Sequence, residues 1–359
     1  MMSWRVRCGA VVLAAVAWLG LPAPAAAQPA PGLDFVLPGD VWHAYKTRFL
    51  DPSGRIVDTA NGDISHSEGQ GYGLLLAYFA NDRSTFEQIW TFTLTELLIR
   101  DDGLAAWKWD PRAKPHVIDI NNATDGDILI AWALALGGQR WSSPVYMDAA
   151  RRLARAIGTV AIRNDGARPI MLPGAAGFAA GERPDGPVLN LSYWVFEALP
   201  VMRGLAPGFD WDGLFNTGLQ LVVQARFGAS ELPVDWISAP AGRPPQPAEG
   251  FAPYFGYNSL RIPLYLLWAG QTEKQLLEPF YRAWTRDGDR PAIVDVATGR
   301  VIETLGEPGY RMQTAILACA LTGRAIPDDL RRFQPTTYYA STLHLLAMTV
   351  VARRYSQCL

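Results

Sequence analysis

Three short segments combine carboxylates, glycines and aromatic residues in a way that suits proton-transfer chemistry. The first is Ser65-His66-Ser67-Glu68-Gly69-Gln70-Gly71-Tyr72-Gly73 and the second Asn121-Asn122-Ala123-Thr124-Asp125-Gly126-Asp127. The third, Phe255-Gly256-Tyr257-Asn258-Ser259-Leu260-Arg261-Ile262-Pro263, is preceded by Asp235-Trp236 and Glu249-Gly250-Phe251. In the first two, a carboxylate stands where a loop enters a helix, and the glycines let other groups approach the backbone closely. Each feature also has a structural reading. An acid in a first helical turn complements the helix dipole, which alone would account for Glu68. Asp127 fits as the capping-box partner of Thr124, whereas Asp125 is not needed for that purpose. Arg261 reads first as half of a structural ion pair, and Glu249 equally well as a solvated loop charge. Trp107 and Trp109 form an aromatic pair in a loop, with faces suited to stacking on a flat or amphipathic ligand.

The elements that must position these residues are mostly helices. Apolar periodicity and cap signals predict helices near 34–49, 68–80, 83–100, 124–137, 144–161, 191–205, 210–227, 258–269, 272–286, 307–321 and 336–354. Ser67 with Gln70, Thr124 with Asp127 and Ser84 with Glu87 read as capping pairs. Residues 290–303 read as one hairpin around Ala297-Thr298-Gly299. Some helices are joined by two to six residues, others by long loops at 101–123, 162–190, 228–257 and 287–306. Loops of this length inside a compact domain are usually functional. Short links on one side and long ones on the other suggest helical hairpins in a ring, with a cleft formed by the long loops. No Ser/Gly linker or charge block divides the chain, so residues 28–359 read as a single domain.

Arg5 and Arg7, the short apolar run from Ala10 to Leu21 and Ala25-Ala26-Ala27 have the form of a cleaved signal peptide over residues 1–27. Losing those two arginines takes the formal charge from −2 to −4. With no basic tract, a nucleic-acid partner is not expected. No later segment is apolar for long enough to span a bilayer. The expected product is periplasmic or secreted, without stable membrane insertion after cleavage. Of three cysteines, Cys8 leaves with the signal; Cys319 and Cys358 either pair or remain separate thiols. There is no CxxC or HExxH and the four histidines are scattered, so no metal or other cofactor is expected. The 13 Trp and 13 Tyr exceed what ligand contact needs, and most must form an aromatic core.

Taken together, SEGQGYG, ATDGD and the FGY-x-x-x-R-x-P stretch resemble glycoside hydrolase family 8. The likeness extends over the mature chain and includes Asn190-Leu191-Ser192-Tyr193-Trp194 and Tyr338-Tyr339-Ala340-Ser341. It is greatest to the endoglucanases encoded with bacterial cellulose synthases. The resemblance implies an all-α, six-hairpin (α/α)6 barrel that cuts β-1,4-glucan with inversion. Glu68 then matches the proton donor, Asp125 a carboxylate that holds and distorts the sugar, and Tyr193 and Arg261 residues supporting that subsite. Trp107, Trp109, Asp235, Trp236, Tyr257 and Asn258 are expected to contact substrate. The implied partner is cellulose or a related β-glucan, with a functional link to cellulose synthase machinery.

One position departs from the family pattern. Members commonly carry an Asp, the general base, where this chain has Asn258. A neutral amide cannot take the proton of the attacking water. The role could pass to Glu249, by analogy with a branch of the family whose base comes from a preceding insertion. It could instead pass to Asp235 or Asp125, or hydrolysis could be lost and only glucan binding remain. A different polymer (chitosan, mixed-linkage glucan or xylan) or a lyase reaction on the same fold are further alternatives.

Overall fold

In a computed structural model, eleven α-helices account for much of the described chain, residues 35–359 apart from 167 and 287. The expected signal peptide lies outside the described residues. The helices are α1 Gly39–Phe49, α2 Ser67–Phe79, α3 Arg83–Phe92, α4 Thr124–Arg140, α5 Pro144–Val160, α6 Leu199–Leu205, α7 Trp211–Gln224, α8 Ile262–Trp268, α9 Lys274–Thr285, α10 Pro308–Thr322 and α11 Tyr338–Arg354. Most coincide with the expected ones to within a few residues. Three differ for local reasons. The segment 83–100 leaves α-geometry in a π turn at Thr93–Leu97. The segments 191–205 and 258–269 each begin as a 3-10 turn, Leu191–Tyr193 and Ser259–Arg261. Pro200 and Pro263 then sit in the first turns of α6 and α8, where a missing N–H is harmless; a continuous helix would have buried them in its interior.

The caps are also displaced from the expected pairs. His66 Nδ1, not Ser67, accepts from the Gly69 amide at the start of α2, and Asp82, not Ser84, accepts from Thr85 at the start of α3. The start of α4 has no side-chain cap.

Helices of two kinds alternate along the chain. α2, α4, α8, α10 and α11 are buried around almost their whole circumference, while α3, α5, α7 and α9 bury one face. All-round burial places a helix in the interior and one-sided burial places it outside. Trp132, Trp194, Trp211, Trp268 and Trp284 are wholly enclosed, so much of the tryptophan content is core.

Short strands tie the loops down. β1 Ser65–His66 pairs with β2 Lys108–Trp109, fixing the 101–123 loop beside the start of α2. β3 Ile162–Asn164 pairs with β4 Pro169–Met171. β5 Val188–Leu189, β6 Ile237–Ser238 and β7 Gln246–Pro247 form a small sheet. The expected hairpin is present as β9 Ala292–Asp295 and β10 Arg300–Thr304, and β9 also pairs with β8 Tyr254–Phe255. Strands of two or three residues carry too little alternation to be read in advance.

Cys319 and Cys358 form a disulfide, which decides between the two alternatives the sequence left open. Among the described residues, no helix is long and apolar enough to cross a membrane.

Candidate active site

The starts of α2 and α4 are pressed together, and this is what brings two carboxylates side by side. A Cβ on Gly71 would come within 2.5 Å of the Leu129 Cβ. One on Gly126 would stand 2.2 Å from Ser67 Oγ and 2.7 Å from the Glu68 amide nitrogen. Only glycine permits that approach. Glu68 projects from the first turn of α2 and Asp125 from the first turn of α4, and both face the Arg261 guanidinium. Asp127 points elsewhere. Its carboxylate accepts from the Ala105 amide at 2.8 Å and from Asn122 Nδ2 at 2.9 Å, so it ties down the long loop rather than capping α4 with Thr124. Thr124 Oγ1 donates instead to the Leu172 carbonyl.

Arg261 is completely buried and forms the hub of the site. It makes an ion pair with Glu68 through Nη1, and its Nη2 lies 3.2 Å from Asp125 Oδ2. The same Nη2 donates to Ser192 Oγ at 2.8 Å and to Asn258 Oδ1 at 3.1 Å. Nη1 is 3.4 Å from the Tyr72 hydroxyl, which is hydrogen-bonded to Tyr265. A buried guanidinium without such partners would be prohibitively costly, so four chain segments must assemble correctly around it. The ion-pair reading of Arg261 thus holds, with the two cleft carboxylates as the partners.

The cleft above this cluster is lined by residues at the starts of the interior helices. Glu68 and Asp125 come from α2 and α4, and Tyr193 and Asn258 from the turns leading to α6 and α8. Glu307 and Tyr310 stand at the start of α10, and Thr337 and Tyr339 at the start of α11. Helix N-termini carry partial positive charge, which favours the carboxylates gathered there. Asp58, His66, Trp107, Trp236, Tyr257 and Glu303 complete the walls. Trp236 stacks with Phe178 and with Phe251, with ring centroids 5.5 and 4.9 Å away. Trp107 is held by a hydrogen bond from its Nε1 to Asp119 at 2.8 Å.

Electrostatically the floor is strained. Burial pushes the Asp125 carboxyl above its ordinary range, opposed by hydrogen bonds from the Gly126 amide and by His66. Burial also raises Asp127, to about 7, against the hydrogen bonds from Ala105 and Asn122. Asp235 is raised by burial too, against hydrogen bonds from Ser259 and Gly256. The Tyr193 and Tyr339 phenols lie well above their usual value because they are buried. Burial, helped by the neighbouring Glu303 carboxylate, moves Tyr257 to about 12.

Of the expected site residues, the structure brings Glu68, Asp125, Trp107, Tyr193, Trp236, Tyr257, Asn258 and Arg261 together. It leaves three outside. Trp109 lies two residues beyond Trp107, in β2, yet it does not line the cleft. It stacks on His116 at 4.2 Å and donates to Glu96, lining a separate depression. Asp235 Oδ1 accepts from the Gly256 and Ser259 amides at 3.0 and 2.9 Å, which anchors the turn carrying Asn258 instead of facing the cleft. Glu249 is exposed on a different groove with Arg243 and Gln246, its amide bonded to Asp185 and its carbonyl accepting from Arg183. Those two contacts hold the 249 loop on that groove.

Sequence reasoning did not select Asp58, His66, Ser192, Glu303, Glu307, Tyr310 or Thr337 for the site. Glu307 and Thr337 stand at the starts of predicted helices, the same signal that marked Glu68 and Asp125, and could have been found by it. Glu303 carries no such signal.

A model of the glycosyl hydrolases of family 8 matches residues 6–353. A probable endoglucanase of Novacetimonas hansenii is 36% identical over 313 residues, 86% of this chain and 88% of that protein. The solved endo-β-1,4-glucanase of Acetobacter xylinum superposes with a TM-score of 0.78 at 34% identity, covering 88% of this chain and 97% of the other. The family 8 endoglucanase structure from Klebsiella pneumoniae gives 0.79 at 32% identity, covering 88% and 99%. The chain therefore belongs to the glycosyl hydrolases of family 8.

Proposed function

We propose that this protein is an endo-acting β-1,4-glucanase that hydrolyses cellulose chains with inversion. The carrying observation is the cluster of Glu68, Asp125 and Arg261 at the floor of a cleft walled by Trp107, Trp236, Tyr257 and Tyr339. Glu68 is the proton donor to the departing glycosidic oxygen, a poor leaving group until protonated. It is paired with Arg261 in this structure, and it must carry a proton to act as the donor. Asp125 remains with Arg261 and supports the sugar on the cleft floor, with Tyr193 beside it. Aromatic faces along the walls receive the apolar faces of successive glucose rings.

The two kinds of helix, interior and exterior, support an (α/α)6 barrel, its interior members opening on the cleft. The Cys319–Cys358 disulfide favours an oxidising compartment, in keeping with export to the periplasm or beyond. The similarity to the Novacetimonas and Acetobacter endoglucanases supports a β-1,4-glucan as the polymer, while a role beside cellulose synthesis rests on the sequence resemblance alone. A second reading, a cationic glucosamine polymer, is favoured by Asp58, Glu303 and Glu307 on the same walls.

The test is release of reducing ends from carboxymethyl-cellulose, chitosan and xylan side by side, with the product anomer followed by NMR. Rapid cleavage of the cellulose derivative with α-anomer appearing first is expected. Preference for chitosan would replace the substrate, and affinity without product would reduce the protein to a glucan binder.

A further inference from the structure

The amide at Asn258 leaves the reaction without its usual proton acceptor, and the cleft holds a limited set of replacements. Five carboxylates line it: Asp58, Glu68, Asp125, Glu303 and Glu307. Glu68 and Asp125 share Arg261 on the floor, so neither stands across the groove from the other. Asp58 is bound back to the Ala60 amide and lies 3.5 Å from His66, the residue that caps the helix bearing Glu68. It belongs to the donor's side. Glu307 uses both oxygens on Thr337, at 3.0 to 3.1 Å, joining the starts of α10 and α11.

Glu303 is different on every count. It is exposed, and its Oε2 accepts one hydrogen bond, from the Tyr257 hydroxyl at 2.9 Å. Tyr257 is the residue immediately before Asn258. The hairpin that carries Glu303 is hydrogen-bonded to the strand leading into the same turn: β10 pairs with β9 and β9 with β8. The register slips between Val301 and Glu303, a bulge that re-aims a side chain at a chosen point of a strand. The Tyr257 ring packs against Tyr310 and Tyr339, and its carbonyl accepts from the Tyr339 hydroxyl at 2.8 Å. Three devices therefore bring one carboxylate to the hydroxyl of the residue preceding the position that lacks one.

Resting on the glucanase reading above, we propose that Glu303 is the general base of this enzyme, presented by the β9–β10 hairpin and held by Tyr257 in place of a carboxylate at 258. As the oxygen of a water bonds to the anomeric carbon, the bond from that carbon to the glycosidic oxygen breaks. One proton of the water passes to Glu303, and the Glu68 proton passes to the departing oxygen. One water is consumed, no oxidant or reductant is involved, and solvent exchange resets both carboxyls.

The experiment compares Glu303→Gln, Glu303→Ala, Glu249→Gln and wild type on carboxymethyl-cellulose, with cellohexaose affinity measured separately. Loss of a general base costs about 10²–10⁴-fold in kcat. That loss is expected for both Glu303 variants with affinity within threefold of wild type, while Glu249→Gln stays near wild type. Added azide should restore turnover in Glu303→Ala and give the α-glycosyl azide, because a small anion replaces the activated water in the space left behind. The acid limb of the wild-type pH profile should vanish in Glu303→Gln. Turnover within threefold of wild type in Glu303→Gln overturns the proposal and leaves the glucanase reading intact. So does a loss that azide does not relieve and that comes with weakened cellohexaose binding. A wild-type enzyme that cleaves no β-1,4-glucan overturns both.

Discussion

The two walls of the cleft are built on opposite plans. On the donor's wall, two helix starts meet across Gly71 and Gly126, and a buried arginine fixes both carboxylates. Beside the turn that carries Asn258, an exposed glutamate rides on the edge strand of a three-stranded sheet and is steered by one tyrosine hydroxyl. The donor's wall is over-determined, so its geometry cannot drift without cost to the fold. The strand bearing Glu303 is attached by a few backbone hydrogen bonds and is free to change. A family can therefore keep its acid in one place while the residue that activates water moves from one segment to another.

The largest effect that would break this contrast is at Glu68. Glu68→Gln should lower kcat on a glucan by roughly 10²–10⁴-fold. A dinitrophenyl cellobioside, whose leaving group needs no proton, should lose far less. Equal loss on both substrates would show that Glu68 does more than donate a proton. Next comes the helix contact itself. Gly126→Ala forces a methyl against Ser67 Oγ and the Glu68 amide, and overpacking of this kind costs about 1–3 kcal/mol. Thermal unfolding should show that loss together with reduced kcat, whereas Glu303→Ala should shift stability by no more than about 0.5 kcal/mol, as for exposed positions generally.

A smaller effect separates the two tryptophans of one loop. Trp107→Ala should raise KM for long cello-oligosaccharides several-fold with little change in stability. Trp109→Ala should do the reverse, because its ring packs on His116 and Phe92. Smallest is the pH dependence of folding. Asp127 titrates near 7 in the native protein and near the ordinary carboxylate value when unfolded. A raised native value means that its contribution is fully present below about pH 4 and is lost as pH rises toward 7. Chemical denaturation between pH 4 and 7 should show this decline, and Asp127→Asn should flatten it.

The same contrast explains what could be read in advance. Glu68 and Asp125 were visible because a carboxylate, a glycine and a helix start coincide within a few residues, and such local signals survive in a bare sequence. The helices were visible for the same reason, with breaks only where Pro200 and Pro263 interrupt the pattern. Glu303 was hidden. Nothing in Arg300-Val301-Ile302-Glu303-Thr304 distinguishes it from any solvated strand residue, and its placement depends on β8 pairing with β9 across nearly forty residues of chain. Glu249 and Trp109 looked plausible through proximity in sequence. Trp109 instead stacks on His116, and Glu249 is held on a different groove by backbone contacts to Arg183 and Asp185.

α10 and α11 run in the same direction, with Glu307 and Thr337 bonded at the cleft and Cys319 and Cys358 bonded at the far ends. They work as a pair of tongs, riveted by sulfur at the handle and touching at the tips, where Tyr310 and Tyr339 grip Tyr257. The handle lies about 20 Å from the tips, at 1.5 Å of rise for each residue of α10. Reducing agents in the surroundings would thus act on the jaw that faces the polymer without ever coming near it.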